Sequence, residues 1–318
     1  MKEFEIIKRY LTLDSAKRKD VIQGIGDDCA LVKLPRGQRL AMSMDTLIGD
    51  VHFIADSNAA DIAHKAIAVN LSDLAAAGAE PAWLTLSLSL PEFNETWLKD
   101  FSQGLKSITE FFGVQIIGGD TCRGPLSITV QAHGFVPEDV FLSRSKAKAG
   151  DLICVTGDLG DAALGLMIAQ NKLQVPSEKA AKLLKKYRTP NPRIAAGIAL
   201  RGRATSAIDI SDGLLADVNH ISEQSEVGVL LRWEKIPLSD ELQDAVEPEL
   251  QMRAALTGGD DYELCFTINE DDFDATKTAL EAVGTNCIAI GRLTGKPGIR
   301  LLHHKKEIEL GELGYQHF

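Results

Sequence analysis

Apolar runs with strand periodicity alternate with Ala-rich helical runs along this chain, and short clusters of glycine, serine and aspartate punctuate them. That alternation most constrains the fold, because strands and helices that alternate bury their apolar faces in layered α/β domains. Leu40 to Thr46 alternates as a strand, with Ala41, Ser43 and Asp45 on one face and Met42 and Met44 on the other. Helical runs are expected over Asp61–Ala77 and Thr96–Phe112, and strands over Trp83–Leu90, Val114–Ile117 and Ser127–Phe135. A polar, basic stretch from Glu138 to Ala149 separates these from a second series. That series comprises strands near Asp151–Thr156, Ala207–Ile210, Leu264–Ile268 and Cys287–Leu293, with helices between. The expectation is an α/β (α+β) chain of two domains, 1–137 and 138–318.

The punctuating clusters are Gly26-Asp27-Asp28, Ser43-Met44-Asp45, Asn70-Leu71-Ser72-Asp73 and Gly118-Gly119-Asp120, with later echoes at Asp209-Ile210-Ser211-Asp212-Gly213 and Gly258-Gly259-Asp260. The Walker A pattern is missing: Gly295-Lys296 is followed by Pro297, and Ile290 stands where the first glycine is needed. Dispersed aspartates without a phosphate-cradling lysine point to phosphate held through magnesium, a hard ion that takes carboxylate and phosphate oxygens. Gly24-Ile25-Gly26-Asp27-Asp28-Cys29 falls short of a dinucleotide fingerprint, because Cys29 takes the last glycine position and the segment lies ahead of the first expected strand rather than after one.

Each cluster also has a plainer reading. Gly-Asp-Asp is an ordinary turn, and Ser211 or Asp212 is a ready N-cap for the following helix. Ser43 and Asp45 would project about 7 Å apart from one strand face. Asp73 sits in an Ala-rich helix with buried surroundings, where an unpaired carboxylate is costly and a partner or metal is expected. Gly118-Gly119-Asp120 follows an apolar strand, at the strand end where α/β proteins often bind ligands. His52, between Val51 and Phe53, reads first as a structural histidine.

The formal net charge of −11 disfavours nucleic acid as a partner, since phosphate backbones need basic surface. Five widely spaced cysteines without a C-x-x-C pair support neither a disulfide framework nor a zinc site. No stretch approaches eighteen uninterrupted apolar residues, and the acidic opening Met1-Lys2-Glu3-Phe4-Glu5 has no signal-peptide character. A cytoplasmic protein of a reducing compartment, without a membrane partner, is expected.

Taken in order, the strings Gly24-Ile25-Gly26-Asp27-Asp28-Cys29-Ala30, Asn70-Leu71-Ser72-Asp73-Leu74-Ala75-Ala76, Ile117-Gly118-Gly119-Asp120-Thr121 and Gly259-Asp260-Asp261-Tyr262-Glu263-Leu264 resemble those of the thiamine-monophosphate kinases. The resemblance extends over nearly the whole chain, to the closing Gly314-Tyr315-Gln316-His317-Phe318. It implies the two-domain fold of the aminoimidazole ribonucleotide synthetase-like superfamily, whose N-terminal sheets pair into a barrel across a homodimer. It also implies that ATP phosphorylates thiamine monophosphate to thiamine diphosphate. By position it makes Asp28, Ser43, Met44, Asp45, Asp73, Asp120, Asp209 and Asp212 magnesium contacts. Met44 stands where the family often has Thr, so a contact there would use its backbone carbonyl. Gly119, Asp120, Arg144 and Ser211 become ATP contacts, and His52, Glu263 and Tyr315 thiamine-phosphate contacts.

The chemistry needs no assigned general base, because the attacking phosphate oxygen is already deprotonated near neutral pH; several magnesium ions would screen the opposed phosphates for in-line transfer. A sister ATP-dependent synthetase of the same superfamily is the nearest alternative. A non-catalytic nucleotide sensor is a more distant one, since every alignable ligand position is filled.

Overall fold

The structure is a computed structural model, and it describes residues 3–13, 17–309 and 314. Two compact units are present: residues 1–74 with 79–139, and residues 75–78 with 140–318.

In the first unit the elements run α1 (Glu3–Ile6, continued by a π-turn over Ile7–Leu11), β1 (Val21–Gln23), β2 (Leu31–Val32), β3 (Gln38–Ile48), α2 (Ala59–Ala76), β4 (Glu80–Leu90), α3 (Glu95–Phe112), β5 (Gln115–Arg123) and β6 (Ser127–Pro137). The strands form an open sheet in the order β3-β6-β4-β5; only β4 and β5 run parallel. Asn94 starts α3 by accepting the Trp97 N–H at 3.0 Å, and Leu98, Phe101, Leu105 and Ile108 give the helix one apolar stripe. Ile67 of α2 and Leu105 of α3 meet Leu84, Leu86, Ile116 and Val130 of the sheet. One face of the sheet is therefore a packed core. The other carries Leu40, Met42, Met44 and Ile48, all exposed, with Met42 at 60% and Met44 at 62%. The β1–β2 hairpin lies against Trp83, Ile117 and Phe135, and Asp20 secures it by accepting the Trp83 indole N–H at 3.0 Å.

The second unit continues with β7 (Leu152–Val155), α4 (Asp161–Ala169), α5 (Ser177–Arg188), α6 (Ile194–Leu200), β8 (Ser206–Asp209), α7 (Leu214–Ser225), β9 (Gly228–Arg232), α8 (Asp240–Ala245), α9 (Pro248–Thr257), β10 (Leu264–Ile268), α10 (Phe273–Glu281), β11 (Ile288–Thr294), β12 (Ile299–His303) and β13 (Lys306–Ile308). Its seven strands are ordered β13-β12-β9-β11-β7-β10-β8. Alternation along the strands sends Ile153, Val155 and Ile208 to one face, where α7 packs, and Cys154, Ala207 and Phe266 to the other, where α6 and α10 pack. This is a layered α/β unit.

The sequence places Gly118-Gly119-Asp120 after its strand, whereas β5 runs through all three residues to Arg123. Pairing decides this: Gly118, Gly119 and Asp120 stand opposite Thr85, Leu86 and Ser87 of β4, so the ladder carries the glycines despite their weak strand preference. His303 closes β12 and pairs with Lys306 of β13. The five cysteines are free thiols. No helix among the described residues is long and apolar enough to cross a membrane.

Candidate functional site

In the first unit, β3 and α2 bring Ser43, Asp45, Asn70 and Asp73 together. Strand alternation turns Ser43 and Asp45 inward, and helical spacing sets Asn70 and Asp73 three residues apart on one face. Ser43 Oγ donates a short hydrogen bond to Asp73 Oδ2, and the Asp45 backbone N–H donates to Asn70 Oδ1 at 3.0 Å. Asn70 is itself anchored by its amide N–H to the Ala66 carbonyl at 3.0 Å. Met44 has its side chain on the exposed face, as the alternation requires.

Asp120 does not join that group. Asp45 lies in the row Val130–Leu86–Gly119, and Asp120 in the next row, with Thr46, Thr129 and Ser87. Three strand spacings, roughly 14 Å along the sheet, separate β3 from β5. Gly119 runs so close to β4 that an added Cβ would come within 1.8 Å of the Leu86 carbonyl oxygen, so no larger residue fits there. Asp28 is exposed in the loop between β1 and β2, where its N–H donates to Asp27 Oδ1 at 2.9 Å. His52 Nδ1 accepts the Ile48 N–H at 3.1 Å, a turn-closing bond after β3.

In the second unit, Asp209 ends β8 and is 3% exposed. Ser211 and Asp212 follow in a half-buried turn, but neither caps α7. The N-cap is Gly213, with no side-chain cap. Asp217, in the first turn of α7, instead reaches back to the turn ahead of the helix, its Oδ2 accepting the N–H groups of Ser211, Asp212 and Gly213 at 3.0, 3.1 and 3.2 Å. Burial, with the Asp209 and Asp212 carboxylates adding to it, pushes Asp217 up to about 8 against the pull of these N–H groups.

Glu263, 2% exposed, lies beside this turn, its carbonyl accepting the Ile210 N–H at 2.8 Å. Its carboxylate takes Arg193 Nε–H at 2.6 Å, a second short bond from Arg193 Nη2, and the Thr156 hydroxyl at 2.7 Å. Burial opposes the charge on Arg193, but Glu263 and, further off, Asp158 outweigh it and raise the guanidinium above its usual range. The loop leading to Glu263 is strained: Asp260 and Tyr262 both adopt left-handed backbone, at φ 71° and 51°. Asp261 accepts the Gly160 N–H at 2.8 Å at the start of α4. Arg144 lies in the basic stretch, its carbonyl accepting the Ser225 hydroxyl at 2.7 Å. Tyr315 lies outside the described residues.

Three residues of these networks escape the sequence: Thr156, Arg193 and Asp217. Only Asp217 leaves a signal. It falls on the apolar stripe Leu214, Val218 and Ile221, where a carboxylate needs donors.

The chain matches the AIR synthase related protein family, with its N-terminal domain over residues 26–136 and its C-terminal domain over 148–304. It is 49% identical to the thiamine-monophosphate kinase of Escherichia coli K12, over 99% of this chain and 98% of the relative. The chain belongs to the thiamine-monophosphate kinase family. A thiamine-monophosphate kinase from Stenotrophomonas maltophilia K279a superimposes with a TM-score of 0.86 at 40% identity, covering 94% of both chains. A second kinase of this family, AaThiL complexed with AMPPCP and TMP, gives a TM-score of 0.79 at 30% identity, covering 99% of this chain and 96% of that one. The mixed α/β two-domain fold expected for the family is thereby established, while the sheet of the first unit remains open in the single chain.

Proposed function

We propose that the aspartates of both units hold magnesium ions for the phosphoryl transfer carried out by this kinase. The reaction is the ATP-dependent phosphorylation of thiamine monophosphate to thiamine diphosphate. The observation that carries it is the end-to-end similarity to thiamine-monophosphate kinases. Among the described residues no three His, Cys, Asp or Glu side chains converge as a ready-made metal cage. The candidate ligands are oxygen donors in small groups, which suits magnesium: it keeps waters and takes substrate phosphates beside one or two carboxylates. Magnesium held by these residues would supply charge neutralisation at the phosphates.

The residues then divide the work. Asp28, Ser43, Asp45, Asp73, Asp120, Asp209 and Asp212 are the magnesium ligands, with the Met44 carbonyl beside them. The Ser43 hydroxyl orients Asp73 and Asn70 steadies β3 at Asp45. Asp45 and Asp120 stand three strands apart in the sheet, so they would serve different ions. Gly119, Asp120, Arg144 and Ser211 bind ATP. His52, Glu263 and Tyr315 bind thiamine monophosphate; Glu263 is held by Arg193 and Thr156 for that role. The acceptor phosphate is already an anion, so positioning and charge stabilisation supply the acceleration and no side chain needs to act as base.

Residues 1–137 form the metal, ATP and dimerisation domain, and residues 138–318 the second domain. Two open sheets pairing through the Leu40, Met42, Met44 and Ile48 face would close a barrel in a homodimer, a reading supported by the exposure of that apolar strip. Free thiols support a cytoplasmic, reducing location. The test is a Mg²⁺-dependent assay with ATP and thiamine monophosphate, products separated by chromatography. Thiamine diphosphate formed in step with ADP is expected; ADP alone would overturn the substrate assignment. Light scattering of Met44→Glu against the unaltered protein tests the dimer, which the buried charge is expected to split.

A further inference from the structure

Helix α7 begins without a side-chain cap, and its fourth residue, Asp217, instead folds back onto the three peptide N–H groups that lead into the helix. That arrangement is costly. Asp217 is 2% exposed and sits among other carboxylates, yet one oxygen gathers three consecutive peptide N–H groups within 3.2 Å. The other side of the turn is held as well. The Ser211 carbonyl accepts the Asp260 N–H at 2.9 Å, and the Ile210 carbonyl accepts the Tyr262 N–H at 2.8 Å. Gly314 lies against the Asp212 carbonyl, where an added Cβ would come within 2.6 Å. Ser211 and Asp212 are thus fixed through their backbone while staying partly exposed. A helix cap alone could have been supplied by Ser or Asp at the N-cap, at no cost in burial.

We propose that Asp217 is a positioning residue of the kinase reaction: by drawing in the peptides of residues 211–213 it sets Ser211 and Asp212 for ATP and its magnesium. The proposal rests on the reading of Ser211 and Asp212 given above. In the full-length protein, Asp217→Ala is expected to raise both the KM for ATP and the Mg²⁺ concentration for half-maximal velocity by about tenfold, the loss typical of a support behind a metal ligand. The KM for thiamine monophosphate should stay within about twofold. Asp217→Asn keeps an oxygen acceptor and is expected to recover most of the loss. Amide hydrogen exchange over residues 211–213 should be fast in the Ala variant and protected in the Asn variant.

Equal loss in all constants, undiminished in Asp217→Asn, would mean a purely structural role and overturn the proposal. So would unchanged ATP and Mg²⁺ constants in Asp217→Ala. Should the Ala variant not fold, Asp217→Glu displaces the oxygen by one methylene; the same selective rise supports the proposal and wild-type constants overturn it. Asp212→Asn separates the two layers. An unchanged Mg²⁺ response there refutes the ligand reading of Asp212, whereas a response altered there but not in Asp217→Ala refutes the positioning role alone.

Discussion

Removing Arg193 should expose how much the second unit depends on one buried ion pair. Glu263 is almost fully buried, and Arg193 supplies two of its three side-chain hydrogen bonds; the Thr156 hydroxyl is the third. Truncation to Ala leaves a carboxylate in a dry site with one neutral donor. Breaking a buried pair from one side costs about 3–5 kcal/mol. The Arg193 side chain is 21% exposed, so water can partly replace it, and the lower end, about 3 kcal/mol, is expected. For a unit of this size that is a fall of roughly 6–12 °C in Tm. Adding Glu263→Gln to Arg193→Ala should recover about 2 kcal/mol, because a neutral amide keeps the Thr156 bond without a buried charge. Urea unfolding of the two single variants and the double variant measures the coupling. A loss below about 1 kcal/mol in Arg193→Ala, or no recovery in the double variant, would refute the reasoning. Glu263→Gln alone should raise the KM for thiamine monophosphate if Glu263 also binds substrate.

Three further outcomes are expected. Asp73→Asn should lower kcat by about a hundredfold and weaken the Mg²⁺ response, while Ser43→Ala, which loses a neutral hydroxyl ligand and the bond that orients Asp73 but no charge, should do less; steady-state kinetics over a Mg²⁺ series measures both. Gly104→Ala would put a Cβ 2.4 Å from the Ala60 carbonyl oxygen, a backbone atom that cannot rotate away. Overpacking of about 1–3 kcal/mol should outweigh the helix-propensity gain of about 1 kcal/mol, giving a net loss in urea unfolding. Asp161 is pushed above its usual range by burial, against the Ser239 hydrogen bond and Lys186, with Asp158 and Glu241 adding to the rise. The folded protein therefore holds this proton more tightly than the unfolded chain, and stability drains away as pH climbs from about 4 through the raised value. Asp161→Asn escapes that drain, so its stability relative to wild type should grow across the window by up to about 1.4 kcal/mol per pH unit; a difference independent of pH would contradict the assignment.

Much of the site was legible because its residues follow local rules. Ser43 and Asp45 could be placed on one face, and Asp73 in line with Asn70, from the strand and helix periods alone. The need of Asp73 for a partner followed from its apolar surroundings, and Ser43 donates to it. Other features depend on residues far apart in the chain. Gly118-Gly119-Asp120 looks like a strand end until β4 pairs with it, and pairing register has no local signature. Arg193 and Glu263 are seventy residues apart, and nothing near either one announces the other. Ser211 and Asp212 have the composition of a cap, but the N-cap falls on Gly213 and their own N–H groups are taken by Asp217 one turn further along.

The sequence by itself determined which segments became strands and helices, the acidic and hydroxyl chemistry of the clusters, and the kinship with the thiamine-monophosphate kinases. These depend on side-chain period, residue type and short motifs, all carried by neighbours in the chain. Tertiary structure alone decided that Asp120 stands in a different row from Asp45, that Asp217 reaches back to the peptides of residues 211–213, and that Glu263 is locked to Arg193. Each of those outcomes is a competition among groups from separate elements for the same donors or the same buried space, and only packing settles which group wins.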